Sequence, residues 1–355
     1  MYIPKFVITS AILKNVGLIE AAKEVIDTAP LVPAWEKRFR DEARLKIVHH
    51  GTHLEGNGLE IAEVERVMQN NEDVVVGRDR DVQEVMNYRN VMEYIDKIAE
   101  QSKESEVALT QEMLKEIHRL TAERVLPANE AGIFRAVKVV IRNTSTGEIT
   151  FRPPPPIEVP YLIDDFFAWV QSSVGKSVHP LLRAGILHYE LVRIHPFTDA
   201  NGRMARAMAL LLLMLEGYQV KKFFALEEYY DAHPNDYYEA LKGVEIAEGD
   251  LTNWLEYFVL GIAIEFSRVK ILVQKLSLDL RLKNTIGGKQ IALNERQVKL
   301  VEFIERMGVL TMTEGRELLP DLSDDTVLRD LRDLTDKGLV VKKGKTKGVR
   351  YYLKN

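Results

Sequence analysis

Six separate stretches of this chain, residues 60–70, 82–100, 110–124, 181–194, 204–216 and 251–269, place apolar residues three and four apart. That period stacks them along one side of an α-helix and fits no strand, so the chain must bury helical faces against one another. Thr110 and Asp250 stand where two of these helices begin and can each accept a first-turn amide. One interval reads differently. Residues 135–142 and 148–151 flank a polar turn at 143–147, which predicts a β-hairpin. Pro153 to Pro156 then form a stiff connector that continues neither a strand nor a helix.

The 355 residues are 46% hydrophobic, enough for two or three domains with cores of their own. Composition changes at Asn284-Thr-Ile-Gly-Gly-Lys289, the best linker candidate. Beyond it the pattern gives helices at 295–307, 313–319 and 323–337, then strands at 339–341 and 349–353 around a turn at 344–348. Three helices and a hairpin in that length are the layout of a winged helix-turn-helix. The expected division is a helical region at 1–100, a core at 101–283 and the winged helix at 290–355. The chain has no cysteine, which excludes disulfides, thiolate catalysis and Cys-ligated zinc. The first residues lack a basic region followed by an apolar run, and the longest apolar run, 207–215, is about half a bilayer span. The expectation is a cytoplasmic protein with no membrane partner.

The chemistry concentrates in His195-Pro-Phe-Thr-Asp199-Ala-Asn201-Gly-Arg203-Met-Ala-Arg206. Pro196 ends the preceding helix at His195, and a new helix begins close to Gly202. Gly202 leaves room for a ligand to approach, and the free N–H groups of a helix start attract anions. Arg203 and Arg206, three apart, project to one side of the first turn, where they oppose the helix dipole unless an anion compensates. A polyphosphate suits two guanidinium forks and several backbone donors. Asp199 can hold a divalent cation bridging those phosphates, and His195 at the rim can take a proton from an incoming hydroxyl.

This stretch resembles the signature of the Fic family, His-Pro-Phe-x-(Asp/Glu)-(Gly/Ala)-Asn-Gly-Arg-x-x-Arg, at every fixed position. The resemblance extends over about residues 30–270. It takes in Gly132-Ile-Phe-Arg135 leading into the hairpin, the proline-rich exit, Asp236-Tyr237-Tyr238-Glu-Ala-Leu241, and Glu248-Gly249-Asp250 with Trp254. The resemblance implies a helical Fic core and protein AMPylation, the transfer of AMP from Mg-ATP to a Ser, Thr or Tyr hydroxyl with release of pyrophosphate. On matching positions it implies His195 as general base and Asp199 as Mg²⁺ ligand. Asn201, Gly202 and Arg203 would cradle the α- and β-phosphates, Arg206 would reach the γ-phosphate, and Phe197 would anchor the loop in the core. Tyr237 and Tyr238 fall on the adenine side. Ala247 replaces the Asn that many members carry before Glu-Gly-Asp. The hairpin resembles the family's flap, which holds a target segment by strand addition. A branch of the family that transfers phosphate has Lys where this chain has Gly202, so AMP transfer is the favoured reading.

Upstream, Gly51-Thr-His-Leu-Glu55-Gly-Asn57 resembles the family's inhibitory motif, (Ser/Thr)-x-x-x-Glu-(Gly/Asn), whose glutamate pairs with the second motif arginine. Glu55 on Arg206 would take the place of the γ-phosphate. The Ser/Thr position is Gly51 here, and Thr52 has no expected role. The same glutamate could instead orient water for AMP removal. Gly175-Lys-Ser177 lacks the upstream glycine of a phosphate loop and is read as a plain loop. His49, His50 and His53 have no zinc-ligand spacing, so packing of the inhibitory segment is expected. His188, seven residues before His195, is read as a core histidine orienting the motif loop.

The winged helix pulls two ways. Residues 337–355 carry seven Lys/Arg and no acid, which suits nucleic acid. The third helix, however, sets Asp324, Asp325, Asp330, Asp333 and Asp336 against Arg329 and Arg332, a poor match to DNA. The alternative functions are therefore a DNA-binding regulator with a nucleotide-sensing core, and a de-AMPylase. The partners expected are a target protein with an accessible hydroxyl and ATP with Mg²⁺. Nucleic acid at 290–355 and a homodimer remain open.

Overall fold

The expected helices form, and others join them. A computed structural model describes residues 2–29, 31, 33–69, 78–142, 149–219, 222–276, 293–320, 322–344 and 349–354. The first part of the chain runs α1 (Ser10–Thr28), α2 (Pro33–His53), α3 (Ile61–Met68), α4 (Asp79–Gln101), α5 (Gln111–Ala122), strands β1 (Ile141–Arg142) and β2 (Ile149–Phe151), then α6 (Val159–Gln171), α7 (Ser173–Ser177), α8 (Pro180–Ile194), α9 (Asn201–Leu215), α10 (Leu226–Ala232), α11 (Pro234–Ile246) and α12 (Thr252–Leu276). Sequence periodicity did not single out α1, α2, α6, α10 or α11. Three of these begin at or beside a proline, which reads as a break yet is favourable in a helix's first turn.

Contacts group residues 1–25 with 42–269, and 26–41 with 270–355. Within the first unit α8 and α9 are antiparallel neighbours, and α4 and α5 pack against α9. Every residue of α8 except Pro180, Val192 and Arg193 is buried, and the run at 207–215 lies inside α9. Gly185 lets α12 approach: an added Cβ would meet Leu255 and Phe258 at 2.8 and 3.0 Å, and the Gly185 carbonyl accepts from Trp254 Nε1 at 2.8 Å. Thr110 caps α5 through Met113 N at 3.3 Å, and Asp250 accepts from Thr252 N at 2.8 Å, as expected of both.

The hairpin is shorter than predicted. Ile141 pairs with Phe151 and Arg142 with Ile149, with an irregular register between them; residues 135–140 form no strand, and 143–148 lie outside the described residues. Prolines 153–156 supply no N–H to a ladder, so the pairing cannot extend past Phe151. They lead instead through a 3₁₀ turn, Pro156–Glu158, into α6. The segment read as a plain loop at Gly175 is the helical turn α7, capped by Ser172 and packed on the carbonyl of Trp169, where only a glycine fits.

In the second unit α13 (Glu295–Met307), β3 (Leu310–Thr311), α14 (Met312–Leu318), α15 (Asp324–Asp336), β4 (Val340–Lys343) and β5 (Arg350–Leu353) follow the expected order, with β3 added. The antiparallel sheet runs β3-β5-β4. Reciprocal caps, Asn294 with Gln297 and Thr311 with Glu314, start α13 and α14. The linker candidate at 284–289 and most of the turn at 344–348 lie outside the described residues.

Candidate active site

His195 closes α8 with a left-handed backbone, φ 51°, and its amide donates to Leu191 O at 3.0 Å. Ala200, φ 60°, opens α9 in the same conformation. Two non-glycine residues in this region need support from their surroundings. Phe197 supplies part of it, fully buried and stacked on His118 with ring centres 3.6 Å apart. His118 Nε2 donates to Asp199 O at 3.1 Å, while its Nδ1 accepts from Gly132 N at 2.9 Å. Burial pushes the His118 pKa down to about 4, so the ring is neutral in this double role. Arg135, buried, donates from Nε to His195 O at 2.7 Å and from Nη2 to Pro154 O and Ile194 O at 2.6 and 3.4 Å. A guanidinium on the last carbonyls of α8 also suits the negative end of that helix.

Asn201 is a staple as much as a ligand-facing group. Its Oδ1 accepts from Phe197 N, and its Nδ2 donates to Phe197 O, both at 3.0 Å. His195 Nδ1 lies 3.1 Å from Val192 O. A carbonyl only accepts, so Nδ1 carries the proton and Nε2 keeps its lone pair. Burial lowers the His195 pKa, which keeps the ring unprotonated near neutral pH. Asp199 accepts from Ala200 N at 2.6 Å and from Arg80 Nη2 at 2.9 Å. Burial alone would raise its pKa, but the Ala200 amide, Arg203 and Arg80 outweigh that and hold the carboxyl ionised.

Arg203 and Arg206 are both buried. Arg203 Nη2 faces Glu84 Oε1 at 3.4 Å, while its Nε and Nη1 have no hydrogen-bond acceptor. Arg206 Nη2 donates to Gly51 O at 2.9 Å. Its Nη1 stands 2.9 Å from Glu55 Oε1, at an angle that makes the contact Coulombic rather than a hydrogen bond. Burial would lower the Arg206 pKa, and the Glu55 carboxylate together with Tyr237, Tyr88 and Tyr238 more than reverses it. Glu227, also buried nearby, has its pKa raised by burial to about 7 and so only partly balances Arg206. Behind Arg206, among His188, Glu227 and Tyr230, is a cavity of about 10 Å³, the size of one water.

Glu55 sits in the turn after α2, against Gly202: a Cβ on Gly202 would collide with its Oε1. The departure at Gly51 has a packing cause, since a Cβ there would lie 2.5 Å from Tyr88 Cε1. Thr52 only bonds back to Val48 O and His49 O. Asn57 ties the turn to α4 through Asp81 O at 2.9 Å and Glu84 Oε2 at 3.2 Å. His50 and His53 place their Nδ1 atoms 2.8 Å from the carboxylate oxygens of Asp231, which fits packing rather than zinc.

Tyr237 and Tyr238 part company. Tyr237 is buried, with its hydroxyl 2.9 Å from His188 Nε2 and its ring in the field of Arg206. His188 thus orients Tyr237, not the motif loop. Tyr238 is exposed, its hydroxyl 3.4 Å from Leu54 O. Glu84, His118 and Arg80 escaped the sequence reading, and Arg135 was noted only as part of the stretch leading into the hairpin. The reciprocal bonds of Asn201 and the Gly132-to-Arg135 stretch carry the faintest local signal; Glu84 and His118 carry none.

Fold and site define a helical protein with a cationic cradle at a helix N-terminus and a carboxylate of its own chain lodged in it. Residues 108–213 match the Fic/DOC family. It is 32% identical over 183 residues to a protein named protein adenylyltransferase Fic from Drosophila grimshawi, covering 51% of this chain and 35% of that protein. With the protein of the same name from Culex quinquefasciatus it shares 27% over 248 residues, covering 69% and 45% respectively. The chain thus spans about half the length, or less, of these curated relatives. A Fic family protein from Desulfovibrio desulfuricans G20 has the same fold, with a TM-score of 0.66 at 23% identity over 100% of this chain and 99% of that one. Among the described residues no helix is long and apolar enough to cross a membrane.

Proposed function

We propose that this chain transfers AMP from Mg-ATP to a hydroxyl of a protein, itself included, and that Glu55 restrains it. The observation that carries the reading is the set of three guanidinium nitrogens, Nε and Nη1 of Arg203 and Nε of Arg206, buried near the start of α9 without acceptors, beside Arg206 Nη1 paired only with Glu55. Buried donors normally have partners, and phosphate oxygens are acceptors of the right charge and number. Gly202 gives them access. Asp199, an ionised oxygen donor with half its side chain exposed, fits Mg²⁺, which keeps several waters and phosphate ligands of its own. When bound there, Mg²⁺ would screen the phosphate charge. His195 Nε2 takes the proton of the target hydroxyl as its oxygen attacks the α-phosphorus; the bond to the bridging oxygen breaks and pyrophosphate leaves. Glu55 on Arg206 competes with the terminal phosphate. Tyr238 is the candidate for the adenine side, with Tyr237 supporting Arg206. Ala247 offers no polar group to the nucleotide.

The test uses purified wild type, Glu55→Gly and Glu55→Gly/His195→Ala, each with Mg²⁺ and ATP labelled on the α- or γ-phosphate. Label is expected on protein from the α position alone, more in Glu55→Gly and none in the double variant. Measurable ATP binding with no label in any form overturns the transferase reading. Loss of label from previously modified protein, dependent on Glu55, would turn it toward AMP removal.

A second reading concerns residues 290–355, and one observation favours it: three of the five acids of α15 are turned to structural use, while Asp325 and Asp336 stay exposed. Asp330 is buried and held by Arg296 Nε at 2.7 Å, Asp333 by Lys337 and Gln297, and Asp324 by Arg316. Arg329 and Arg332 stay exposed, as do Lys342, Lys343 and Arg350 of the sheet. That module would bind duplex DNA through phosphates, with binding that weakens as salt rises. Arg329→Ala/Arg332→Ala with Lys342→Ala should cut duplex affinity at least tenfold in a mobility-shift titration, and unchanged affinity rejects the reading.

A further inference from the structure

Arg80 lies outside both the motif and the inhibitory turn, yet its guanidinium joins two carboxylates of the site. Nε donates to Glu84 Oε1 at 3.0 Å, and Nη2 donates to Asp199 Oδ2 at 2.9 Å. Glu84 is buried and also meets Asn57 and Arg203, so Arg80 is aimed at Asp199 from an anchored partner. Asp199 spends Oδ1 on the amide of Ala200. Its Oδ2 is therefore the oxygen left to receive a cation, and a cation of the chain's own is on it.

We propose that Arg80 is a second restraint, an internal cation that competes with the divalent metal for Asp199. The inference rests on Asp199 being the metal ligand, as read above. The Arg80–Asp199 pair is built to be displaced, with side chains 57% and 45% exposed, whereas those of Arg206 and Glu55 are 2% and 28% exposed. The two restraints share one footing in the first turn of α4. Arg78 Nη2 donates to Gly56 O at 3.2 Å and Asn57 Nδ2 to Asp81 O at 2.9 Å, so the turn that positions Arg80 also fastens the segment carrying Glu55. A cation arriving with nucleotide has to replace one Nη2 contact only, because the Nε contact to Glu84 stays. Arg80 is thus a positioning residue for Asp199 and touches no reacting atom.

The test reads binding rather than turnover. In full-length Glu55→Gly protein, the affinity for a fluorescent ATP analogue is measured with saturating Mg²⁺ and with EDTA, and the ratio of the two is the metal's contribution. Arg80→Gln should raise that ratio about two- to fivefold, the worth of one part-exposed ion pair. Arg80→Lys, which keeps the charge but loses the two-ended fork, should fall between. The thermal midpoint of each variant confirms folding. An unchanged or lowered ratio in Arg80→Gln overturns the proposal. Asp199→Ala separates the layers: if it leaves the ratio as it was, Asp199 is not the ligand and both readings fall. If it collapses the ratio while Arg80→Gln does nothing, only the role of Arg80 is lost.

Discussion

Two pairs of arginines in this chain share one spacing and lead opposite lives. Arg203 and Arg206, three apart on α9, are buried. Arg329 and Arg332, three apart on α15, are exposed. Water satisfies the second pair. The first pair has been taken out of water, and a buried cation without a partner is costly, so the fold supplies glutamates from distant elements, Glu84 from α4 and Glu55 after α2. Even then several N–H groups lack acceptors. Spacing alone therefore says little. Burial converts an Arg-x-x-Arg pattern into a demand for an anion, and the demand can be met by ligand or by chain.

That contrast can be broken in three places. The largest effect is expected at Glu84. Glu84→Ala strands Arg203 and should lower unfolding stability by about 3–5 kcal/mol in urea denaturation; a loss under 1 kcal/mol would mean that Glu84 is not its counter-ion. Acid comes next. His118 stays neutral down to about pH 4 in the fold but takes a proton near 6.5 when unfolded. The unfolded state then holds more protons across that window. The stabilisation is full above pH 6.5 and drains away as pH falls toward 4, by roughly 3 kcal/mol. His188, with its pKa lowered by burial, acts in the same direction. Residues 290–355 contain no histidine, so this slope belongs to the unit around the motif alone. A melting series over pH 7 to 4 that is flat, or unaltered by His118→Gln, contradicts it. The smallest effect is at the exposed pair, where Arg329→Ala/Arg332→Ala should leave the denaturation midpoint unmoved.

The motif loop was legible because twelve consecutive residues hold its histidine, its carboxylate and its arginines. Helix existence was legible where an apolar stripe faced a polar one. The supports of the loop were not. His118 and Arg135 meet it from 60 or more positions away, and nothing in the local spacing of either points to the loop it supports. Asn201 was legible as polar and necessary, but its amide is spent largely on its own loop. The hairpin was overdrawn because β-branched residues at 137–141 were counted without asking what could pair with them, and the chain after Phe151 runs into prolines 153–156, which supply no N–H.

The left-handed residues at both ends of the motif loop have a kinetic meaning. His195 and Ala200 each hold a conformation that costs of order 1 kcal/mol or more, and His118, Arg135 and Asn201 hold it through contacts within the chain itself. A visitor meets a finished surface and loses little of its binding free energy to ordering loops. Under the proposed restraint, activation would then consist of uncovering a site already shaped by its own chain, with little left to assemble at the encounter.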